Sequence, residues 1–218
     1  MSAGPPRPEG EHRVVLVPAE RLEGWWARFE ERHGTTTVDA TTTEVTLAAP
    51  DGAVAVVEVP FPPLPSPEDP RSVVEHALAE RTVGAVLVRR GGYAAGWFAG
   101  RRLVGSKVGR TYVQGTTKAG GWSQQRYARR RANQTRDAYA EAADVTATLL
   151  LPHAADLDAV VGGGDQAGVE AVLADPRLAP LRALLLPRVL PTVDPRLRVL
   201  EAFGDQLRAV RVRLNALA

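Results

Sequence analysis

The chain has 218 residues, 44% hydrophobic and 24% charged, which is enough apolar material for a sizeable core in one domain, or one domain plus an appendage, and excludes disorder throughout. It has no cysteine, so disulfides, a thiol nucleophile and a cysteine-ligated zinc are excluded, and its four histidines (His12, His33, His76, His153) are too scattered for a His-rich motif. The net charge of +2 hides an asymmetry: the 56 residues from Arg81 to Arg136 carry 13 basic residues and no Asp or Glu, leaving 14 basic and 25 acidic residues for the rest.

GC-rich codon usage explains why 25 of the 27 basic residues are Arg, but it would spread them along the chain and would not expel carboxylates from one stretch. Such a segment reads as a polyanion-binding surface, the plainer alternative being a solvated basic face compensated by acidic neighbours. No run approaches the roughly 18 to 20 consecutive apolar residues of a membrane span, and the start of the chain has no hydrophobic signal core. A cytoplasmic protein without membrane contact is expected.

In chain order, residues 1–12 form a Pro/Gly-rich leader expected to be disordered. Arg13 to Val17 is a short apolar run, and Ala19 to His33 reads as a helix, with Leu22, Trp25, Trp26 and Phe29 recurring three and four apart before Gly34 ends it. Glu44–Ala49 and Ala53–Val59 are β-branched runs around Pro50-Asp51-Gly52, a hairpin signal. A proline-rich bridge from Pro60 to Pro70 closes this small α+β unit, residues 13–69, and residues 70–218 form the main domain.

There, a helix from Pro70 to Glu80 precedes three strands, Val83–Arg89, Tyr93–Ala99 and Arg101–Val108, joined by Arg90-Gly91-Gly92 and Gly100 as an antiparallel meander. A glycine-rich loop, Thr111–Gly121, leads into a long helix from Ser123 to about Leu149, with Ala128, Ala132, Thr135, Tyr139, Ala142 and Thr146 on one face. Leu157–Val161 is a strand, Gln166–Leu173 a helix with Asp165 as its expected cap, and Leu184–Leu190 a buried strand weakened by Pro187. Pro195–Ala209 is a helix running into the C-terminus. Three antiparallel strands followed by right-handed crossovers to parallel ones give an α/β mixed sheet of ribonuclease-H-like layout, with a small N-terminal α+β extension.

The chemistry concentrates between Lys118 and Arg131. Gly120 and Gly121 let the backbone approach a crowded ligand, and Ser123-Gln124 stands where the loop becomes a helix, whose N-terminus attracts anions. Arg126, Arg129, Arg130 and Arg131 add phosphate neutralisation, while Trp122 and Tyr127 offer stacking surfaces for unpaired bases. The structural alternative makes Ser123 an N-cap and Trp122 a packing anchor, and leaves the glycine pair unexplained. A two-metal nuclease needs carboxylates on its first strands, and these strands have none. A serine nucleophile needs a nearby histidine base, and Ser123 has none in sequence.

A glutamine presented by a glycine loop in a basic domain resembles the catalytic domain of the Vms-like release factors, relatives of the central domain of eukaryotic and archaeal peptide-chain release factors, and in particular their actinobacterial branch of peptidyl-tRNA hydrolases. The resemblance covers about residues 83–190 by element order and is most specific between Lys107 and Arg131. Family members read Gly-Gly-Ser-Gln, whereas here Trp122 stands between Gly121 and Ser123 and a second glutamine, Gln125, follows Gln124. The resemblance implies that Gln124, or Gln125 if the loop is offset by one residue, positions water at the ester between a nascent peptide and tRNA, and that Lys107, Arg110 and Tyr112 touch RNA. It also implies the large ribosomal subunit, at its peptidyl-transferase centre, and peptidyl-tRNA as partners, no cofactor and no metal. The short N-terminal unit offers no decoding domain, which favours rescue of stalled chains over stop-codon reading. The rivals are a non-catalytic rRNA- or tRNA-binding module, a metal-free nuclease acting near the tRNA 3′ end, and an adaptor with a solvated basic face.

Overall fold

The computed structural model describes residues 13–110 and 122–218, with side chains described for 13–110 and 133–218. The expected leader, residues 1–12, lies outside them. In chain order the elements are β1 (Arg13–Val17), α1 (Leu22–His33), β2 (Thr37–Ala40), β3 (Glu44–Ala48), β4 (Val54–Glu58), α2 (Ser72–Leu78), β5 (Thr82–Arg89), β6 (Gly92–Ala99) and β7 (Arg102–Arg110). There follow α3 (Trp122–Leu150), β8 (Ala159–Gly164), α4 (Gln166–Leu173), α5 (Ala179–Ala183), α6 (Leu197–Arg208) and β9 (Val210–Leu214), with 3-10 turns at Ala19–Arg21, Leu151–His153 and Pro176–Leu178.

The chain divides into two compact units, residues 1–79 with 208–218, and residues 80–207. The expected boundary between 69 and 70 is therefore redrawn: α2 joins the first unit, and so does the C-terminus, where β9 replaces the expected run-out of the last helix. Its sequence, Val210-Arg211-Val212-Arg213-Leu214, alternates with period two, so one face can be buried while the other pairs charges. Val210, Val212 and Leu214 enter the core with Leu22, Trp26 and Phe29 of α1, and with Val45, Leu47, Ala55 and Val57 of β3 and β4. On the opposite face Arg211 and Arg213 pair with Glu58 and Glu44. The strand slots between β1 and β4 in an antiparallel sheet of order β1-β9-β4-β3-β2. Strand β2 was also missed, because Thr37-Val38-Asp39-Ala40 is short and half polar and finds its place only by pairing with β3.

The second unit is the mixed sheet. Its order is β7-β6-β5-β8, with β5, β6 and β7 antiparallel and β8 parallel to β5. The fold class read from the element order is thus found as an α/β sheet with three antiparallel strands and a parallel crossover. The segment expected as the next strand, Leu184–Leu190, follows β8 through two isolated parallel bridges, Val160 to Leu185 and Gly163 to Leu190. Between the two bridges β8 advances from Val160 to Gly163 while this segment advances from Leu185 to Leu190, so the register slips and no continuous ladder forms. Helices α3 and α4 cover one face, where Val86, Val88, Tyr93, Ala142, Val160 and Val169 share a core. Phe203 and Gly204 of α6 lie against Gly163 and Phe98 on the other.

Candidate functional site

Strands β6 and β7 form the platform on which α3 rests. A side chain at Gly105 would meet the Trp97 indole at 2.8 Å, and one at Gly109 would meet the Tyr93 ring at 2.1 Å. The two aromatic rings therefore lie directly over glycine backbone of the edge strand, which no alanine would permit. Burial, then a hydrogen bond to Glu141, then the charges of Glu141 and Asp144 push the Tyr93 phenol up to about 12. It stays protonated and donates to Glu141, tying β6 to α3. Trp97 packs on His153, their ring centroids 4.5 Å apart, just beyond the C-terminal end of the helix.

Helix α3 is much longer than this platform. Leu150 lies beside Gly84 near the start of β5, and the Tyr139 hydroxyl lies beside Gly168, which packs on Val88 near the end of β5. The helix has then crossed the sheet, with 17 residues, Trp122 to Ala138, still on its N-terminal side. At 1.5 Å per residue these carry its axis about 25 Å past the level of Val88. The sheet itself ends one residue later, at Arg89 and the Arg90-Gly91 turn.

The charge on α3 changes sign where the helix leaves the sheet. From Trp122 to Arg136 it has five arginines (126, 129, 130, 131, 136) and no acid; from Asp137 to Leu150 it has Asp137, Glu141 and Asp144 and no base. Neither its first turn carries an acid nor its last a base. This runs against the helix dipole, which prefers anions at the N-terminus and cations at the C-terminus. The cost has a chemical use: first-turn N–H groups without helical partners, together with arginines close by in sequence, can attract anions.

At the sheet end below it, Arg89, Gly92 and Arg110 stand in one cross-strand row. The strands are about 4.8 Å apart, so the two arginines flank the bare glycine at about 10 Å and can grip neighbouring phosphates. Acids stand at this end as well: the Asp194 carboxylate packs against Gly91, and Asp165 follows Gly164 and donates its backbone N–H to the Val88 carbonyl at 2.8 Å. Arg101, at the other end of the sheet, is held by Asp205 at 3.2 Å. Among the described residues no group of three or more His, Cys, Asp or Glu is placed to hold a metal ion.

The residues singled out from the sequence are distributed as follows. Ser123, Gln124 and Gln125 are the second to fourth residues of α3, behind Trp122, so they occupy the turn whose N–H groups lack helical partners. Arg126, Arg129, Arg130 and Arg131 lie on the overhanging part. Gly120, Gly121, Lys118 and Tyr112 lie outside the described residues. Lys107 and Arg110 are both exposed on β7, but three residues apart on a strand puts them on opposite faces, so the structure does not bring them together. Lys107 shares the α3 face with Gly105 and Gly109, and Arg110 belongs with Arg89.

Sequence reasoning missed Tyr93, Gly105, Gly109 and Arg89 as parts of the site. The signal was present as Gly105 and Gly109, same-face positions on a strand that follows an aromatic-rich one, although the pairing register was needed to see which ring covers which glycine.

A family model described as Actinobacteria/chloroflexi VLRF1 release factor matches residues 81–213. Among solved structures, an archaeal translation termination factor, aRF1, matches at 16% identity with a TM-score of 0.45, over 89% of this chain and 66% of that one. A second match, an archaeal protein, has 13% identity and a TM-score of 0.38, over 92% of this chain and 69% of its own. The chain thus spans just under two thirds of the length of the archaeal termination factor. No curated protein matches.

Proposed function

The chain belongs to the Actinobacteria/chloroflexi VLRF1 release-factor family, and on that premise of a ribosome-associated release factor we propose that it hydrolyses peptidyl-tRNA. The observation that carries this reading is the position of Ser123-Gln124-Gln125 in the first turn of α3, at the far end of its basic half and following Gly120-Gly121-Trp122 in sequence. A group that must reach a narrow, RNA-walled cleft needs a long support, no carboxylates along it, and a small-residue tip.

Water attacks the carbonyl carbon of the ester that joins the nascent chain to the 3′-terminal ribose of tRNA. The bond from carbonyl carbon to ribose oxygen breaks, the ribose oxygen takes a proton, and a peptide acid and an intact tRNA leave. A neutral amide is too weak a base to deprotonate water, so Gln124 orients it and supplies hydrogen bonds, while substrate and ribosomal RNA groups move the protons. If the loop register is offset by one residue, Gln125 takes this role. The first-turn N–H groups and the arginines behind them stabilise the charge that develops on oxygen and hold the surrounding phosphates. Lys107 extends that grip on the α3 side and Arg110 with Arg89 extends it at the sheet end, while Lys118 and Tyr112 add RNA contacts from the segment that joins β7 to α3 in sequence. The substrate is a stalled nascent chain on the ribosome or its large subunit, and the site of action is the peptidyl-transferase centre.

The test is release of labelled peptide from stalled ribosome and large-subunit complexes by wild type, Gln124→Ala and Gln125→Ala, with the tRNA examined on a gel. Peptide release with full-length tRNA, reduced about a hundredfold or more in one variant, is expected, by analogy with loss of a transition-state hydrogen-bond donor. Unaltered release in both variants overturns the glutamine mechanism and leaves an RNA-binding module. A shortened tRNA overturns ester hydrolysis in favour of a nuclease.

A further inference from the structure

The first unit contains a basic and aromatic pocket that the release reading does not use. It has a volume of about 140 Å³ and is lined by Trp25, Arg28, Phe29, Arg32 and His33 of α1, by Arg13 of β1, and by Leu214 and Ala218. We propose that it binds one unpaired nucleotide of RNA, with the base against the accessible side of Trp25 and the adjoining phosphate on Arg28 and Arg32.

The pocket follows from how α1 distributes its side chains. Leu22, Trp26 and Phe29 face the core, so Trp25 is not needed there and remains half-buried at the margin. Positions 25, 28, 29 and 32 are three and four apart, so they form one contiguous flank. Glu23 and Glu30 lie on the other flank, where Glu30 accepts from Thr36 at 2.7 Å and pairs with Arg71 at 3.0 Å. The helix thus places arginines beside its exposed ring and turns these two glutamates away from it.

The rings form a ladder. Trp25 and Phe29 are stacked, with centroids 5.6 Å apart and planes 25° from parallel, and His33 lies 4.8 Å beyond Phe29. His33 Nδ1 is 2.8 Å from an Asp51 carboxylate oxygen, so the imidazole end of the ladder is already engaged. Arg13 is engaged as well, donating to the Ala218 carbonyl oxygen at 3.4 Å. Arg28 and Arg32 have no ion-pair partner among the described residues, and both are exposed. Cavities of about 150 Å³ admit a single six-membered ring, which matches one base and not a folded duplex. Stacking of a base on an aromatic face beside a guanidinium is the usual way a protein holds single-stranded RNA without reading its sequence.

This inference does not rest on the glutamine, so its failure leaves the release reading standing. The test uses the full chain labelled with ¹⁵N, following its tryptophan indole N–H signals during titration with the single-stranded pentanucleotide of uridylate and, separately, with inorganic phosphate. The Trp25 signal, assigned by Trp25→Phe, is expected to shift saturably with the pentanucleotide. That shift should need at least about tenfold more ligand in Arg28→Ala/Arg32→Ala, where two phosphate-neutralising groups are lost, while the buried Trp26 signal stays in place and reports the intact fold. A Trp25 signal that stays still while other signals respond overturns the proposal. So does an equal shift with inorganic phosphate, which would mean an anion site without a base.

Discussion

The two halves of α3 share one backbone and are held by different forces. From Ala138 onward the helix is a packing element: Ala138, Ala142, Ala143, Thr146 and Leu150 are buried, and Thr146 turns its hydroxyl back to the Ala142 carbonyl at 2.7 Å. Its outward face is fastened by Arg177, which bridges Asp144 at 2.7 Å and Asp175 at 2.6 Å. From Trp122 to Arg136 the helix is instead a carrier, rich in Arg, Gln and Ala, which favour helix without tertiary help. The docked half can afford acids at its C-terminal end because packing holds it. The carrier half holds its arginines towards the N-terminal end, against the helix dipole, with no acid in its own sequence to pair them.

That contrast predicts effects that separate folding from release. The largest is expected for Asn133→Pro, which removes one helical hydrogen bond and clashes one turn back, costing the helix about 3 kcal/mol. Peptide release should be lost while the thermal unfolding of the sheet core stays near wild type by circular dichroism. If both fall together, the carrier is not separable from the platform.

Next comes Arg129→Ala/Arg130→Ala/Arg131→Ala. Removing three phosphate contacts should flatten the plot of log affinity against log salt, for large-subunit binding, by about 2 to 3 units of slope. Thermal stability should hardly move, and an unchanged slope would assign these arginines to solvent.

In the docked half the expected effects are on stability. A methyl at position 109 would lie inside the Tyr93 ring, so Gly109→Ala forces that ring off its seat and should cost about 1 to 3 kcal/mol by denaturant titration. The smallest effect is expected for Tyr93→Phe, about 1 kcal/mol for one hydrogen bond to a carboxylate near the surface. It also carries a pH signature. The folded phenol titrates at about 12 against an ordinary 10.0, so its contribution is complete below pH 10 and disappears as pH rises towards 12. Wild type should lose stability across that window, and Tyr93→Phe should lose less; parallel curves would mean that the phenol titrates alike in the folded and unfolded chain.

The charge pattern and the long helix are legible in the sequence. An acid-free run of 56 residues and a Gly-Gly-Trp-Ser-Gln-Gln segment are facts of one dimension, and helical periodicity after Trp122 is local. Lys107 and Arg110 show the limit. Their spacing of three looks like a pair, but a strand sends them to opposite faces, and Arg110 acquires Arg89 as its neighbour through the register with β5 and β6. The aromatic seats on Gly105 and Gly109 depend on the same register.

By itself, then, the sequence determined the charge segregation, the helix that carries it, the Gly-Gly-Trp-Ser-Gln-Gln segment and the three-strand meander, because each is set by local composition or by periods of two and 3.6. Only the tertiary structure decided that β9 returns to the first sheet between β1 and β4, and how far α3 runs beyond the second. Both depend on where partners distant in the chain begin and end. A five-residue alternating strand can pair anywhere an edge is open, and a helix overhangs only relative to the sheet that stops beneath it.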